Sequence, residues 1–299
     1  MKSWEVSREE SGQKLLAFLK QKTGDQYSSR QLKKAIEESL CQINGRTERF
    51  ATRVLGSGDK IAFQEPTTDT KNVVPLFEEK RILFEDSDLL IYDKPSNTSS
   101  DDPDFLKAIQ GKRTTLRLTH RLDRDTTGVL IFAKSQNAEM KVLDFFKKRM
   151  VNKTYLALVD GNIKQSHGCI DNYLGIKNRY QGQSIWGSVA KSKGSHAITG
   201  WECLQSGNDA ALVCCKPKTG RTHQIRVHMS EMGHPILGDF QYGRSFHCQY
   251  RAPRYLLHAL SIELSHPSTG EPLFIASSIP QDFQEALTFF GFYYEISHR

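Results

Sequence analysis

The order of its strand-like segments limits the fold of this chain more than any other feature. After residue 81, runs typical of β-strands outnumber the helical stretches and do not alternate with them, whereas a parallel α/β sheet requires that alternation. Strand-like runs lie at residues 155–159, 210–215, 224–228 and 259–264, and ILFEDSDLLIYDKP adds two around an acidic turn. Residues 137–150 repeat apolar side chains at helical spacing. The pattern predicts an α+β fold with a mostly antiparallel, mixed sheet.

Residues 1–65 predict a separate, small α/β domain. A short amphipathic helix fits residues 13–23, and a second helix fits residues 30–38, with Ser28 or Ser29 as its N-cap. QINGRTERF then predicts two strands joined by a turn at Asn-Gly, and GDKIAF predicts a further strand.

Residues 66–80 are richer in Pro, Thr and Asp and predict a linker, so the second domain spans residues 81–299. The chain has no run of about 20 uncharged apolar residues, so it predicts no transmembrane helix. Its N-terminus, MKSWEVSREESGQK, lacks the apolar segment of a secretory signal. We therefore expect a cytoplasmic protein that does not enter a membrane.

The charge of the chain favours a polyanionic partner. The formal net charge is +7 and the pI is about 9.0, and the basic residues cluster in separate segments such as 141–153 and 216–226. Such clusters favour a nucleic-acid partner over the alternative, a basic surface face on an ordinary soluble protein. The six cysteines form no CxxC pair, which fits neither a zinc knuckle nor a disulfide framework, so we expect reduced thiols.

Three polar segments of the second domain could carry chemistry: HRLDRDTTG at 120–128, KTYLALVDG at 153–161 and TGRTHQIRVHMSEMGHPILGD at 219–239. In the first, Asp123 lies between two arginines, which fits either surface ion pairs in a loop or an active-site acid held ionised by a guanidinium. In the third, a strand over 224–228 would place Arg226 opposite Ile225 and Val227. A buried arginine requires an acid partner.

Other chemistries find little support in these segments. His223 and His228 would lie on opposite faces of a strand, and His120 with Asp123 has no third ligand placed by spacing, so no metal site is predicted. No GxSxG elbow, Walker motif or dinucleotide fingerprint is present. Tyr155, by its position alone, is typical of a core tyrosine.

Together the three segments resemble the RluA-type family of pseudouridine synthases. That family carries HRLDxxTSG, K-x-Y-x-A-x-V-x-G, GRxHQIRxHxxxxGHPILGD, and LHA before a strand that ends in HP, and this chain has each of these in order, from about residue 81 to its end. Two departures occur. Ser96-Asn97 follow Lys94-Pro95 where an Ala-Gly pair is usual, and Thr127 replaces a serine.

The resemblance implies the α+β pseudouridine synthase fold, an RNA substrate, and no cofactor or metal. It implies that Asp123 is the catalytic aspartate, that Tyr155 stacks on the target base, and that Arg226 pairs with Asp123. Arg121 is similar to a residue that displaces or replaces the flipped base. Two further positions are weaker candidates for RNA contact: Arg221 and His223.

Residues 11–63 resemble the S-four-type RNA-binding domain, in which a basic second helix and the following turn face RNA. The residues at those places are Arg30, Lys33, Lys34 and Arg46. Within the RluA-type family, this added domain is typical of enzymes that act on large-subunit ribosomal RNA, so we expect that target before tRNA. We also expect a monomer.

The implied reaction begins with extrusion of a uridine from structured RNA. Asp123 then starts cleavage of the glycosidic bond, by attack on the sugar or by abstraction of a sugar proton, and the freed uracil rejoins through carbon 5. Two alternatives remain open. One is a non-catalytic RNA-binding or ribosome-assembly factor on the same scaffold, and the other is a hydrolase that releases the base.

Overall fold

A computed structural model describes residues 1–37, 40–48, 50–65, 77–111, 113, 115–180, 183–243 and 246–295. The chain divides into two compact units, Met1–Val73 with Asn178–Ile185, and Val74–Lys177 with Trp186–Arg299. The division after Val73 falls inside the predicted linker 66–80, although residues 66–76 of that linker lie outside the described part.

The N-terminal unit has two short helices against a small antiparallel sheet. Its elements are β1 (Lys2–Glu5), α1 (Leu15–Thr23), α2 (Ser29–Glu37), β2 (Cys41–Ile43), β3 (Arg46–Thr47) and β4 (Lys60–Phe63). The strand order is β1-β4-β2-β3, and the helices bury Phe18, Leu19 and Leu32 in one apolar cluster with Ile61 and Phe63 of the sheet. The predicted helix–helix–strand–turn–strand order is therefore confirmed.

Local sequence signals of this unit act as expected. Ser28 caps α2, since its hydroxyl accepts from the Gln31 amide at 3.3 Å while the Gln31 side chain accepts from the Ser28 amide at 2.8 Å. Asn44 and Gly45 adopt φ angles of 52° and 76°, which match the two central positions of a hairpin turn that requires positive φ.

The larger unit is built on one mixed sheet. Its strands are β5 (Ile82–Glu85), β6 (Leu89–Lys94), β7 (Arg117–Leu118), β8 (Thr127–Ala133), β9 (Asn152–Asp160), β10 (His167–Tyr180), β11 (Gln183–Ser188), β12 (Ser195–Ser206), β13 (Ala210–Pro217), β14 (Leu257–Ser265) and β15 (Pro272–Ala276). The order is β11-β10-β12-β13-β9-β14-β8-β6-β5, with β15 beside β14 and β7 beside β8. The end of β10 and the start of β11 fall within Asn178–Ile185, which is grouped with the N-terminal residues. Among the strand pairs described, β8 and β14 run parallel and the others run antiparallel. The predicted α+β class is confirmed.

Four helices accompany this sheet: α3 (Pro103–Gln110), α4 (Gln136–Lys147), α5 (Gln224–Glu231) and α6 (Gln281–Phe289). The helix predicted at 137–150 corresponds to α4, and the strands predicted at 155–159, 210–215 and 259–264 lie in β9, β13 and β14. α3 and α6 were not predicted, because each is only eight or nine residues long and follows polar or proline-containing sequence.

The strand β8 is buried on both faces. Val129 and Ile131 belong to one apolar cluster, while Leu130 and Phe132 belong to another. Because side chains alternate along a strand, this division shows that the continuous apolar run after Gly128 lies in the middle of the fold. The loop that carries Asp123 is therefore anchored to a rigid strand.

The prediction of a strand at residues 224–228 is wrong, because these residues begin helix α5. The helix is short, and six of its eight residues are buried, polar as well as apolar: Gln224, Ile225, Arg226, Val227, His228 and Met229. A helix enclosed on every side has no exposed face, so its sequence lacks the period of an amphipathic helix. The prediction that Arg226 and Ile225 lie on opposite faces of a strand is wrong for the same reason.

Among the described helices, none has both the length and the apolar character that a membrane-spanning helix requires.

Candidate active site

A basic cleft of about 770 Å³ in the larger unit collects the predicted residues. Its walls come mainly from three segments: the loop 118–126, residues 146–155, which run from the end of α4 into β9, and residues 217–226. The cleft is lined by Asp123, Tyr155 and Arg226, and also by the predicted RNA-contacting residues Arg121, Arg221 and His223. The structure therefore brings together six residues that are separated by up to 105 positions in the sequence.

The loop that carries Asp123 is held by a buried lysine. Lys94 is fully buried, and its ammonium donates to the carbonyl oxygens of Pro95, Thr98 and Arg124 at 2.8, 2.8 and 3.0 Å. All three donors are thus satisfied, while burial lowers the pKa of Lys94 to about 7. Because one of these carbonyls follows Asp123 directly, Lys94 fixes the turn on which the acid lies.

The charged sequence RLDRD predicts that Arg124 and Asp125 are solvent-facing loop charges, and this prediction is wrong. Both are half-buried. The Arg124 guanidinium donates to the Asn97 side chain, and the Asp125 carboxylate accepts from the Asn97 amide at 3.1 Å. Asn97 has a φ of 60°, a conformation that asparagine adopts more readily than most residues. The departure from the family's glycine at this position is therefore a conservative one, and it adds contacts to the loop.

Gly128 closes the loop against the sheet for a steric reason. It has a φ of 107°, and a Cβ at this position would lie 2.1 Å from the Ala259 carbonyl oxygen. The two residues are paired in the parallel ladder of β8 and β14. A residue with a side chain would therefore push β8 away from β14 at the point where the Asp123 loop ends.

Arg226 is the centre of the charged network. It is buried, and it binds Asp239 through two contacts, Nε to Oδ2 at 2.6 Å and Nη2 to Oδ1 at 3.0 Å. Its Nη1 atom donates to Asp123 Oδ2 at 3.3 Å, which confirms the predicted contact, and Nη2 also donates to Gln241 at 2.9 Å. Burial disfavours the guanidinium charge, but Asp239 outweighs it, so the pKa of Arg226 lies well above its ordinary value.

Asp239 is the functional residue that sequence reasoning missed. It is only 1% exposed, and its two-point contact makes it a closer partner of Arg226 than Asp123 is. The signal was present, because Asp239 ends the third motif and a buried arginine requires an acid. The assumed strand directed attention to distant acids, whereas the chain turns back after α5 and brings Asp239 to the same helix.

Two tyrosines complete the support of Arg226. Its guanidinium carbon lies 4.2 Å from the ring centre of Tyr255 and 5.0 Å from that of Tyr242, within the range of cation–π contacts. The Tyr255 hydroxyl accepts from the Asp125 amide at 3.0 Å, so the same residue touches both the arginine and the loop of Asp123. Sequence reasoning gave neither tyrosine a role.

Tyr155 lies on β9, where it lines the cleft and also packs against the apolar clusters that contain Leu122 and Leu257. Burial, together with the negative charge of Asp123, raises the pKa of the Tyr155 phenol above its ordinary value. The side chain is therefore a neutral aromatic wall of the cleft. Both interpretations of its sequence position, core tyrosine and site tyrosine, describe part of this arrangement.

His223 differs from the other predicted RNA contacts. Its Nδ1 atom lies 2.6 Å from the Tyr242 hydroxyl, and its Nε2 atom lies 4.0 Å from Asp123 Oδ2. Burial and the charge of Arg226 lower the pKa of His223 to about 4. The ring is thus neutral at pH 7, and it contributes shape and hydrogen bonding rather than positive charge to the cleft.

The arginines at the mouth of the cleft are accessible. The Arg121 side chain is 70% exposed and has an ion pair at 3.3 Å with Asp101. Arg221 donates to the His196 carbonyl oxygen at 2.9 Å and is also exposed. Four further basic residues line the same cleft: Lys147, Arg149, Lys153 and Lys218. Burial and the neighbouring Arg221 lower the pKa of Lys153 to about 8.

The predicted RNA-binding residues of the N-terminal unit lie elsewhere. Arg30 and Lys33 are exposed on α2. The side chains of Lys34 and Arg46 lie outside the described part of the structure. Within the residues that are described, no group of three or more His, Cys, Asp or Glu side chains could hold a metal ion.

An α+β fold with a mixed sheet, and with a carboxylate and an arginine in a basic cleft, fits an enzyme that acts on nucleic acid. Residues 88–231 match the family model described as RNA pseudouridylate synthase. The chain is 32% identical to the ribosomal large subunit pseudouridine synthase D of Nitrosomonas europaea, over 88% of this chain and 80% of that one. It is 34% identical to the ribosomal large subunit pseudouridine synthase C of Vibrio cholerae, over 75% and 72%.

Solved structures agree with this comparison. Human RNA pseudouridylate synthase domain containing 4 superimposes with a TM-score of 0.58 and 28% identity, over 70% of this chain and 92% of that one. The chain therefore belongs to the RluA-type family of RNA pseudouridine synthases, enzymes that isomerise uridine to pseudouridine in RNA.

Proposed function

We propose that this enzyme isomerises uridines of large-subunit ribosomal RNA and that Asp123 is the acid that reacts. The contact between Asp123 Oδ2 and Arg226 Nη1, at 3.3 Å inside the basic cleft, carries the proposal. The Asp123 side chain is 28% exposed and Arg226 only 6%, so the carboxylate faces the cleft from a buried support. The names of the bacterial relatives support the ribosomal target.

The reaction rearranges one nucleotide and adds or removes no atom overall. The target uridine leaves the RNA stack and enters the cleft. The bond between sugar carbon 1′ and uracil N1 breaks, the base turns, and carbon 1′ bonds to uracil carbon 5. The hydrogen on carbon 5 leaves to solvent, and N1 gains a proton.

The cleft residues have separate roles in this proposal. Asp123 acts on the sugar, either at carbon 1′ as a nucleophile or at carbon 2′ as a base. Arg226 orients Asp123, the Tyr155 ring stacks on the uracil, and Arg121 fills the place that the base has left. The aromatic and apolar walls exclude water, which would otherwise trap the activated sugar as a hydrolysis product. Deuterium at carbon 2′ gives a primary isotope effect only if Asp123 acts as the base, because only then does the bond from carbon 2′ to hydrogen break.

Tritium release tests the proposal directly. A bacterial large-subunit ribosomal RNA transcript, tritiated at uracil carbon 5, should lose tritium without releasing free uracil. Asp123→Asn keeps the shape of the side chain and should lower the rate at least about 10³-fold, as loss of a reacting group does in other enzymes. Asp104→Asn is the matched control, since Asp104 is an exposed acid in the first turn of α3 and does not line the cleft. Free uracil would indicate a hydrolase, and an active Asp123→Asn would contradict the assignment.

We further propose that the N-terminal unit binds RNA as an S-four-type domain, through the exposed Arg30 and Lys33 of α2. Each phosphate contact adds about 0.7 to 0.9 to the slope of log affinity against log salt. Arg30→Ala/Lys33→Ala should therefore lower that slope by about 1.4 to 1.8. Lys14→Ala/Lys60→Ala removes the same charge from exposed positions of the same unit and should leave it unchanged. Equal slopes for both variants would contradict the proposal.

The target RNA, the cellular compartment and the oligomeric state belong to the same proposal. We place a monomeric enzyme in the cytoplasm, and its six free cysteines fit reduced thiols there. Pseudouridine mapping in cells that lack the gene should show sites lost from large-subunit ribosomal RNA, whereas losses confined to tRNA would redirect the assignment. Size-exclusion chromatography with light scattering reports the oligomeric state.

A further inference from the structure

One buried arginine outside the cleft holds the backbone of the Asp123 loop. Arg254 lies just before β14 and is 7% exposed. Its Nη1 atom donates to the carbonyl oxygens of Asp125, Tyr255 and Leu257 at 2.9, 3.0 and 3.3 Å. Arg254 thereby joins the residue two positions after Asp123 to the segment that carries Tyr255.

The other edge of the same guanidinium binds helix α6. Arg254 Nε donates to Asp282 Oδ2 at 2.6 Å, and Nη2 donates to Asp282 Oδ1 at 2.9 Å. This two-point geometry fixes the plane of the guanidinium. Asp282 lies in the first turn of α6, where the helix dipole favours a negative charge. The carboxylate of α6 therefore sets the direction in which Nη1 points.

Arg254 and Tyr255 together hold the two peptide groups on either side of the Asp125 Cα atom. The Asp125 amide donates to the Tyr255 hydroxyl at 3.0 Å, and the Asp125 carbonyl accepts from Arg254 at 2.9 Å. The loop is tight at this point, because the Thr126 amide donates to the Asp123 carbonyl at 3.1 Å. The Asp125 carbonyl and the Thr126 amide belong to the same peptide group, so a rotation of that group would also disturb its hydrogen bond to Asp123.

Tyr255 also contacts the partner of Asp123, since the Arg226 guanidinium carbon lies 4.2 Å from its ring centre. The position of the acid and the position of its arginine thus both depend on the short segment 254–255. We propose that Asp282 and Arg254 are positioning residues for the reaction, which set the geometry of the Asp123–Arg226 contact from outside the cleft. This inference rests on the proposed role of Asp123.

The ion pair of Arg254 and Asp282 positions the Asp123 loop more than it stabilises the fold. A buried ion pair contributes little net stability compared with apolar residues of the same size, and neither Arg254 nor Asp282 lines the cleft. Five of the contacts of Arg254 instead end on the Asp282 carboxylate or on backbone carbonyls of the segments that hold Asp123 and Tyr255. A displacement of about 1 Å in a reacting group can cost about 100-fold in rate.

Steady-state kinetics of tritium release separate positioning from RNA binding. We expect Asp282→Asn to lower kcat 10- to 100-fold and to leave KM for the tritiated ribosomal RNA transcript within twofold. Asp282→Glu keeps the charge on a side chain that is 28% exposed, so it should recover most of kcat. Glu285→Gln removes the same charge from an exposed residue one turn further along α6 and should match wild type.

Tyr255→Phe is the second variant, for the case in which Asp282→Asn does not fold. It keeps the ring beside Arg226 and removes the hydroxyl that holds the Asp125 amide, so it should also lower kcat without raising KM. An unchanged kcat in folded Asp282→Asn or in Tyr255→Phe would overturn the inference, and so would a higher KM at unchanged kcat. Asp123→Asn, measured beside them, tests the proposed function separately. An active Asp123→Asn would contradict the proposed role of Asp123, whereas an inactive Asp123→Asn beside an unchanged Asp282→Asn would overturn only this inference.

Discussion

The buried pair of Arg226 and Asp239 should stabilise the fold and the site in different ways, and four proteins can separate the two effects. Asp239→Asn leaves a guanidinium that is 6% exposed with one remaining acid, Asp123, at 3.3 Å. Arg226→Met leaves Asp239, which is 1% exposed, with no cation among its described contacts. The double variant Arg226→Met/Asp239→Leu removes both charges and fills the space with apolar side chains.

The expected magnitudes follow from the burial of the pair. Removal of one partner from a buried ion pair costs about 3 to 5 kcal/mol, whereas replacement of both partners by apolar residues is often close to neutral. For a domain of about 200 residues, 1 kcal/mol lowers Tm by roughly 2 to 4 °C. Each single variant should thus melt about 10 °C below wild type, and the double variant should recover most of that loss.

Activity should follow a different order. In Asp239→Asn, Arg226 turns toward its remaining carboxylate, so Asp123 is held out of position and kcat falls about 100-fold. The double variant melts near wild type yet stays as slow as Arg226→Met, because nothing orients Asp123. Calorimetry gives Tm, and tritium release gives kcat.

The exposed pair of Arg121 and Asp101 is the reference for this cycle. Its contact is also 3.3 Å, but its side chains are 70% and 47% exposed, so Asp101→Asn should shift Tm by no more than about 2 to 4 °C. If the two single variants at Arg226 and Asp239 melted within 2 °C of wild type, or if their losses simply added in the double variant, the reasoning would be refuted.

Three further predictions concern Gly128, the buried histidines and Lys153. Gly128→Ala should lose several kcal/mol and most activity, because its Cβ would lie 2.1 Å from the Ala259 carbonyl oxygen; an Ala variant that melts like wild type would contradict this. Burial lowers the pKa of four histidines to about 3 or 4: His120, His223, His228 and His258. As the pH falls, the unfolded chain therefore takes up protons before the folded one, and this favours unfolding. Tm should stay level above pH 6.5 and fall between pH 6.5 and pH 4, and the fall should be less steep in His258→Gln. A Tm that stays level over this range would exclude the linkage. The pKa of Lys153 is about 8, so RNA affinity should weaken between pH 7 and 9 in wild type but not in Lys153→Arg.

The sequence located the acid and its arginine but not the residues that hold them. Asp123, Tyr155 and Arg226 lie in long ordered motifs, and the structure places all three in one cleft. Their roles in the reaction remain predictions that the experiments above test. The contact between Asp123 and Arg226 was implied by the family resemblance, whereas the need of a buried guanidinium for an acid did not distinguish Asp123 from Asp239.

The supporting contacts could not be predicted, because they are buried polar contacts between elements that are distant in the chain. Arg254 meets Asp282 and the Asp125 backbone, and Lys94 ends on three carbonyls. Backbone carbonyls are present at every residue, so no side-chain pattern indicates which of them a buried cation will bind. Helix α5 was predicted as a strand for a related reason. Its polar residues are buried and make their hydrogen bonds inside the protein, so no exposed polar face marks the helical period.

One guanidinium faces two carboxylates, and the unequal division of its contacts explains how a reactive acid can lie beside a buried cation. Asp239 takes the two-point contact at 2.6 and 3.0 Å, and its charge alone balances that of Arg226. Asp123 receives a single longer contact at 3.3 Å. That contact is enough to orient one oxygen, and it leaves the other lone pairs of the carboxylate directed at the cleft. A tighter pair with Asp123 would bind the acid too firmly for the proposed reaction with a sugar, so we expect that reaction to depend on Asp239 occupying the stronger side of Arg226.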